Sequence, residues 1–382
     1  MNSQKQQILD LVHSRFDEAK AYSFSFVNYI KEFCRGRKLC LFGAGGIGLS
    51  TYYRLKGKGL QVALFCDNKP QKINTEIVDG IRCVSADELL ASHKDCCIII
   101  TVGQGREIMQ QLCAGGRADA IHCAAPTIAY YGEVLNSISK EALYRNVQNL
   151  LAVVDDEKSL RIVHRTLAHA LMAMEGQTTG FEYDDIYSPN QYLPDDIPVL
   201  RDQATYVDCG AYDGDTLRYM FDRPEGRRLA RYYCYELDST NYARLTASLE
   251  ALPDDLRHKV VLKNFGVGEK AEQIKYDPTG SDTFASASGL CTGNLVALDE
   301  DLRDVAVGCI KMDIEGAEPY ALRGASHLIQ RHRPSLAICT YHSLEHLWEL
   351  PLYIHDLVPE YTIRFRHHTR SMFETVCYAT VE

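Results

Sequence analysis

The sequence lacks any apolar run long enough to span a bilayer, so no membrane-crossing helix is expected. It lacks the basic-then-apolar start of a secretory leader, since Met1-Asn2-Ser3-Gln4-Lys5-Gln6-Gln7 is polar throughout. It also lacks an excess of positive charge. The 41 Lys and Arg against 51 Asp and Glu leave a net charge of −10, which argues against a general binder of nucleic acid or membrane surfaces. C-x-x-C pairs are missing as well. The 14 cysteines scatter, with Cys40, Cys66, Cys209, Cys309 and Cys339 inside predicted strands, so neither a zinc framework nor a secreted disulfide scaffold is indicated. They read as buried thiols of a reducing cytoplasm. Nothing repeats at a solenoid period.

What remains is ordinary globular material, 46% apolar and 24% charged, and 382 residues are enough for two domains with separate cores. Residues 1–37 read as an amphipathic helical lead-in, with Ile8, Leu11, Val12 and Phe16 at helical spacing. Residues 38–128 alternate strand and helix as a small parallel α/β Rossmann-like unit. Residues 129–200 form a helical linker, with helices near Ser139–Val154 and Glu157–Met174, Asp155 and Asp156 as caps, and a loop from Glu175 to Pro198. From residue 201 to 382 a second α/β pattern runs through Thr205–Val207, Tyr232–Tyr235, Val260–Lys263, Leu295–Leu298, Cys309–Met312 and Leu336–Tyr341. It closes on Tyr361–Arg366 and Thr375–Thr380, two strands with no helix between them. A parallel sheet ending in an antiparallel hairpin is the class I methyltransferase pattern.

Two strand ends in this second half carry acids. The first is Tyr206-Val207-Asp208-Cys209-Gly210-Ala211-Tyr212-Asp213-Gly214-Asp215-Thr216, and the second is Lys311-Met312-Asp313-Ile314-Glu315-Gly316-Ala317-Glu318. A glycine-rich turn after a strand ordinarily cradles phosphate on bare N–H groups. Asp208, Asp213 and Asp215 would repel a pyrophosphate, yet they suit a cationic nucleoside such as S-adenosylmethionine. Glu236, 28 residues beyond Asp208 at the next strand end, is placed to accept ribose hydroxyls. Gly210 and Gly214 allow close approach, and Tyr212, Asp213, Thr216 and Asp313 complete the expected cofactor-binding set. Glu318 is equally explained by the helix start beside Pro319.

The run from Val207 to Thr216, the Lys311–Gly316 core and Leu322-Arg323-Gly324-Ala325 resemble the FkbM family of S-adenosylmethionine-dependent methyltransferases, over about residues 200–382. The resemblance implies a Rossmann-like methyltransferase fold and O-methylation of a sugar, glycan precursor or glycosylated metabolite. Residue matching implies cofactor contacts for Asp208, Gly210 and Glu236, and a place in the active-site cleft for Asp313 and Glu315. The chain departs from the pattern at Thr340, where many members carry a carboxylate two residues before a histidine.

Methyl transfer to a hydroxyl calls for a base, and His342 is the candidate, beside Asp313 and Glu315. A histidine merely bonded to a loop carbonyl is the alternative. His342-Ser343-Leu344-Glu345-His346 matches H-x-x-E-H, but the first histidine ends a predicted strand, which does not suit a zinc peptidase. A magnesium-type ion on Asp313, Glu315 and His342 stays open, and no metal is assigned. His367-His368, with Arg364, Arg366 and Arg370, lines either the acceptor entrance or a solvated turn. Gly280–Gly289 reads as a flexible loop or lid.

In the first half, Gly43-Ala44-Gly45-Gly46-Ile47-Gly48 matches G-x-G-x-x-G, with Asp67 at the next strand end. Gly43, Gly45, Gly48 and Asp67 form either a nucleotide-sugar or dinucleotide site or a scaffold without ligand. The expected partner is a small-molecule or glycan acceptor. Two other functional classes stay open at this point: a nicotinamide-dependent sugar oxidoreductase, and a silent nucleotide-binding regulator.

Overall fold

The computed structural model describes residues 3–57, 59–102, 105–122, 134–135, 137–154, 156–172, 183–279, 282–285, 291–370 and 372–381. The chain divides into two compact units. One comprises Met1–Asn146, Val163–Asp185 and Arg370–Met372; the other comprises Val147–Ile162, Ile186–Thr369 and Phe373–Glu382.

The first unit opens with a helix, Ser3–Cys34. Its sheet holds β1 (Leu39–Phe42), β2 (Val62–Cys66), β3 (Glu76–Val78), β4 (Ile81–Val84), β5 (Cys97–Ile100) and β6 (Ile121–His122), in the order β3-β4-β2-β1-β5-β6. The pairs are parallel, as expected, except β3 with β4, which form an antiparallel edge. The cause is the Asp79-Gly80 turn, where both residues have positive φ, as a tight hairpin requires. Successive strand residues feed opposite cores. Leu39, Leu41, Phe65 and Ile99 pack in one cluster, while Cys40, Phe42, Cys66 and Ile100 pack in the other. Both faces are therefore covered, which is why the strands read as unbroken apolar runs.

The second unit contains β7 (Thr205–Cys209), β8 (Arg231–Tyr235), β9 (Val260–Lys263), β10 (Gly266–Val267), β11 (Glu272–Thr279), β12 (Asp282–Ala285), β13 (Cys291–Val296), β14 (Cys309–Met312), β15 (Ser335–Cys339), β16 (Thr362–His367) and β17 (Thr375–Thr380). Its main sheet runs β16-β17-β15-β14-β7-β8-β9. The five strands from β15 to β9 are parallel, and β17 returns antiparallel between β15 and β16. The order reverses at β7 and β14, so a crevice opens above their carboxyl ends.

Two expectations are corrected here. The strand expected at Leu295–Leu298 runs instead over Cys291–Val296, with Leu298 starting a short helix, and this β13 belongs to a separate four-stranded sheet, β10-β13-β11-β12, in which it pairs antiparallel with β11. The flexible-loop reading of Gly280–Gly289 fails over Asp282–Ala285, which is β12 paired with β11. The other residues of that stretch, like Asp155 and residues 175–182 of the expected loop, lie outside the described residues.

The hairpin of β16 and β17 is clamped by a buried cation. Arg366 reaches Asp196 and Asp156 at 3.0 Å each and also touches Ser159, whose hydroxyl accepts the Phe365 N–H. His367 contacts the Thr375 hydroxyl, and His368 lies 2.8 Å from both the Ser188 carbonyl and the Tyr378 hydroxyl. Arg366, His367 and His368 are buried, so these three line neither an acceptor entrance nor a solvated turn, whereas Arg364 is half-buried and Arg370 is exposed beside Asp184. Arg366→Ala should lower the unfolding free energy by about 3 kcal/mol, the low end for breaking a buried ion pair because its acids are partly exposed. A urea titration showing less than about 0.5 kcal/mol would contradict this clamp.

Candidate active site

The site begins with a register. Asp208 on β7 lies directly opposite Lys311 on β14, and neighbouring residues in register point to the same face. Their charged atoms meet at 2.9 Å with side chains 0% and 2% exposed. Lys311 also donates to the Gly210 carbonyl at 2.6 Å, and Tyr232 donates its hydroxyl to Asp208 at 2.9 Å. Burial alone would strip the lysine of its proton, but Asp208 and then Asp313 hold its pKa well above the usual value. Asp208 is thus a structural counter-ion beneath the site.

From there the charges alternate. Asp313 follows β14, takes the Tyr341 hydroxyl on Oδ1 at 2.9 Å and takes the Tyr192 hydroxyl on Oδ2 at 3.0 Å. Against the upward push of burial, Lys311 and His342 keep it ionised. His342 sits in the loop after β15 with its Nε2 3.5 Å from Asp313 and 3.4 Å from Glu315, and its Nδ1 3.0 Å from Glu318. Burial opposes its charge, yet Glu318, Glu315 and Asp313 raise its pKa to about 10. His342 is therefore a cation at neutral pH. That departs from the ordinary imidazole pKa on which the expectation of a base rested. Glu318 is wholly buried and accepts the Ile314 N–H at 2.9 Å.

Above this ladder lies a cavity of about 870 Å3, bordered by Gly210, Tyr212, Asp215, Thr216, Glu236, Lys311, Asp313 and Glu315 among others. Asp208, Asp213, Gly214 and His342 are not on its wall. Asp213 instead pairs with Arg218 at 3.0 Å, and Gly214 turns the chain with φ +87° into the helix Asp215–Phe221. Glu236 follows β8, and both its oxygens accept backbone N–H groups, from Tyr212 at 2.9 Å and Asp238 at 2.8 Å. Burial nevertheless pushes its pKa up to about 7. Gly210, at φ +83°, carries the chain so close to the Asp313 carbonyl that a Cβ would stand 1.9 Å from it. Among the described residues of the wall, aspartates and glutamates outnumber lysines seven to two, and Lys311 is already engaged.

Sequence reasoning missed Lys311, Tyr192, Gln191, Tyr341 and Glu374. A lysine inside the apolar Cys309–Met312 strand was a readable signal; Glu374, in a hairpin turn, carried none. Thr340, where a carboxylate was expected by resemblance, spends its hydroxyl on the Thr375 carbonyl at 3.1 Å. Among the described residues, Asp313, Cys339 and Glu374 place one ligand atom each within 4.8 Å of one another. Burial raises the Cys339 thiol far above its usual pKa.

The first unit holds its own glycine turn shut. The Ala44 N–H donates to Asp67 at 2.9 Å, while Lys72 donates to the Ala44 carbonyl at 2.8 Å and lies 3.7 Å from Asp67. A Cβ at Gly48 would meet the Gly43 carbonyl at 1.9 Å, and one at Gly43 would meet the Thr101 carbonyl at 2.5 Å. Close packing accounts for both glycines. Gly45 meets only the Lys72 ammonium, 3.7 Å from such a Cβ.

Residues 208–365 match the Methyltransferase FkbM domain. An FkbM methyltransferase domain thus spans residues 208–365. The chain also resembles the crystal structure of methyltransferase FkbM from Methylobacillus flagellatus KT, with a TM-score of 0.67 and 22% identity over 99% of each chain. That likeness extends the shared fold to both halves. The methyltransferase domain of bacterial CtHen1 aligns over 47% of this chain and 90% of its own at 10% identity, with a TM-score of 0.32, too low to bear on the fold. No curated protein matches. Among the described residues, no helix is long and apolar enough to cross a membrane.

Two measurements test the charge ladder. Lys311→Met strands the Asp208 carboxylate and should cost about 3–5 kcal/mol of stability; a loss below 1 kcal/mol contradicts the pairing. The His342 pKa in the folded chain exceeds the value near 6.5 of an unfolded histidine. Its stabilising effect is complete below about pH 6.5 and drains as pH rises through about 10. The difference in unfolding free energy between wild type and His342→Gln should therefore shrink from pH 6.5 to 10. A difference independent of pH would show that His342 is not cationic.

Proposed function

We propose that this chain transfers a methyl group from S-adenosylmethionine to a hydroxyl of a sugar, glycan precursor or glycosylated metabolite. The observation that carries the reading is the anionic cavity at the carboxyl ends of β7, β8 and β14, within a domain of the FkbM family.

The residues present fit this donor. Glu236 keeps further lone pairs for ribose hydroxyls after accepting two backbone N–H groups. Asp215, Asp313 and Glu315 favour a positively charged group and disfavour a diphosphate. When bound, S-adenosylmethionine supplies an electrophilic methyl group on a sulfonium. The chain's part is to fix the acceptor in line and keep the pocket ordered. Tyr320, 56% exposed on the cavity wall, offers an aromatic face suited to the apolar side of a sugar ring. The described cysteines are all free, which supports a reducing, cytoplasmic setting. For the first unit we favour a scaffold role, because Asp67 is already engaged by its own glycine loop.

S-adenosylmethionine should raise the melting temperature of the whole chain, Glu236→Ala should abolish that rise, and NADH should produce none. A rise with NADH alone would favour a nicotinamide-dependent enzyme instead. With an accepted sugar, S-adenosylhomocysteine should accumulate in step with a methyl ether; a methylamine product would refute the assignment of oxygen as the acceptor.

A further inference from the structure

We infer that Glu374 is the group that takes the acceptor's proton, an assignment that rests on the methyltransferase reading above. As the acceptor oxygen bonds to the methyl carbon, the S–CH3 bond breaks and its electron pair passes to sulfur. The hydroxyl proton moves to the Glu374 carboxylate, so S-adenosylhomocysteine leaves as a neutral thioether and the ether product leaves uncharged.

The geometry singles out this residue by what its neighbours are already doing. Glu374 lies on the cavity wall, in the turn immediately before β17, with a carboxylate oxygen within 4.8 Å of the Asp313 carboxylate. Asp313 has a tyrosine hydroxyl on each oxygen and is held ionised by Lys311 and His342, so it has little tendency to accept a proton. His342 already carries one. Glu315 lies against the His342 cation at 3.4 Å. Burial keeps Tyr192, Tyr341 and Cys339 protonated.

Glu374 differs on each count. Burial first, and then the Asp313 charge, raise its pKa to about 7, while the Gln191 amide, the His342 cation and the Tyr341 hydroxyl pull it down. A base poised near neutrality is the efficient choice for a reaction run there. Its backbone stands at φ +67°, a left-handed conformation unusual for glutamate, which the surrounding turn must enforce. The Gln191 side chain donates to Oε2 and fixes the head group.

The test uses the full chain and Glu374→Gln, which keeps the shape and removes the titration. Calorimetric titration with S-adenosylmethionine at pH 7, in phosphate and in Tris, counts protons exchanged on binding. The wild type should release protons as the donor's positive charge ionises Glu374. The variant should bind within threefold of the wild-type Kd and release fewer. Turnover on methyl glycosides should rise through about pH 7 in the wild type, and Glu374→Gln should lose at least about 100-fold in kcat. Gln191→Leu, which deletes the hydrogen bond favouring the ionised form, should move that profile to higher pH. Unchanged proton release in Glu374→Gln, an unchanged rate, or a donor affinity reduced more than tenfold overturns the assignment. A wild type that gives no binding heat with the donor overturns the underlying function instead.

Discussion

The Asp208–Lys311 pair is the constraint on which the rest of this site depends. Two opposite charges are sealed between adjacent parallel strands, and neither is tolerable there without the other. The lysine does more than neutralise its partner. Its hydrogen bond to the Gly210 carbonyl ties the glycine turn to β14, and its charge favours the ionised Asp313 next along. Asp313 in turn supports the His342 cation, whose nearest acidic contact is the buried Glu318. The order of signs is set from the sheet register outward, and it leaves Glu315 and Glu374 facing a cavity whose floor is already polarised.

Two glycine-rich turns in one chain show how similar sequence can serve different ends. In the first unit, the acid at the end of β2 folds back onto the turn and a lysine closes over it. In the second, the corresponding acid at the end of β8 also accepts an N–H from its turn, yet both Glu236 and the turn remain on the wall of a large cavity. The difference lies in what lies beyond: Lys72 against the first turn, and open space bordered by β10, β11 and β13 residues against the second. The motif alone does not separate these outcomes.

Much of the fold was legible because its strands are apolar on both faces and its turns are marked by glycine and acid. The closing hairpin was readable from two strands with no helix between them. The four-stranded sheet was not, because a single short segment such as Leu295–Leu298 carries no sign of which sheet it will join. Site residues next to the glycine turns, Gly210, Tyr212, Asp215 and Glu236, could be placed from strand ends. The roles of individual acids could not. Asp208 and Glu236 both close strands in sequence, but one points at a lysine inside the sheet and the other at the cavity. Only cross-strand register separates them. His342 was found as a residue, but its raised pKa was not legible, since it depends on Glu318 and Glu315 lying around one imidazole.

The most direct measurement of the central claim is a crystal structure of the whole chain grown with S-adenosylmethionine. Ribose hydroxyls should lie on the Glu236 carboxylate and the sulfonium among the acids after β14, with Lys311 still bound to Asp208. A phosphate-bearing ligand seated on Gly210 and Gly214, with Lys311 turned away from Asp208 to meet it, would contradict the account.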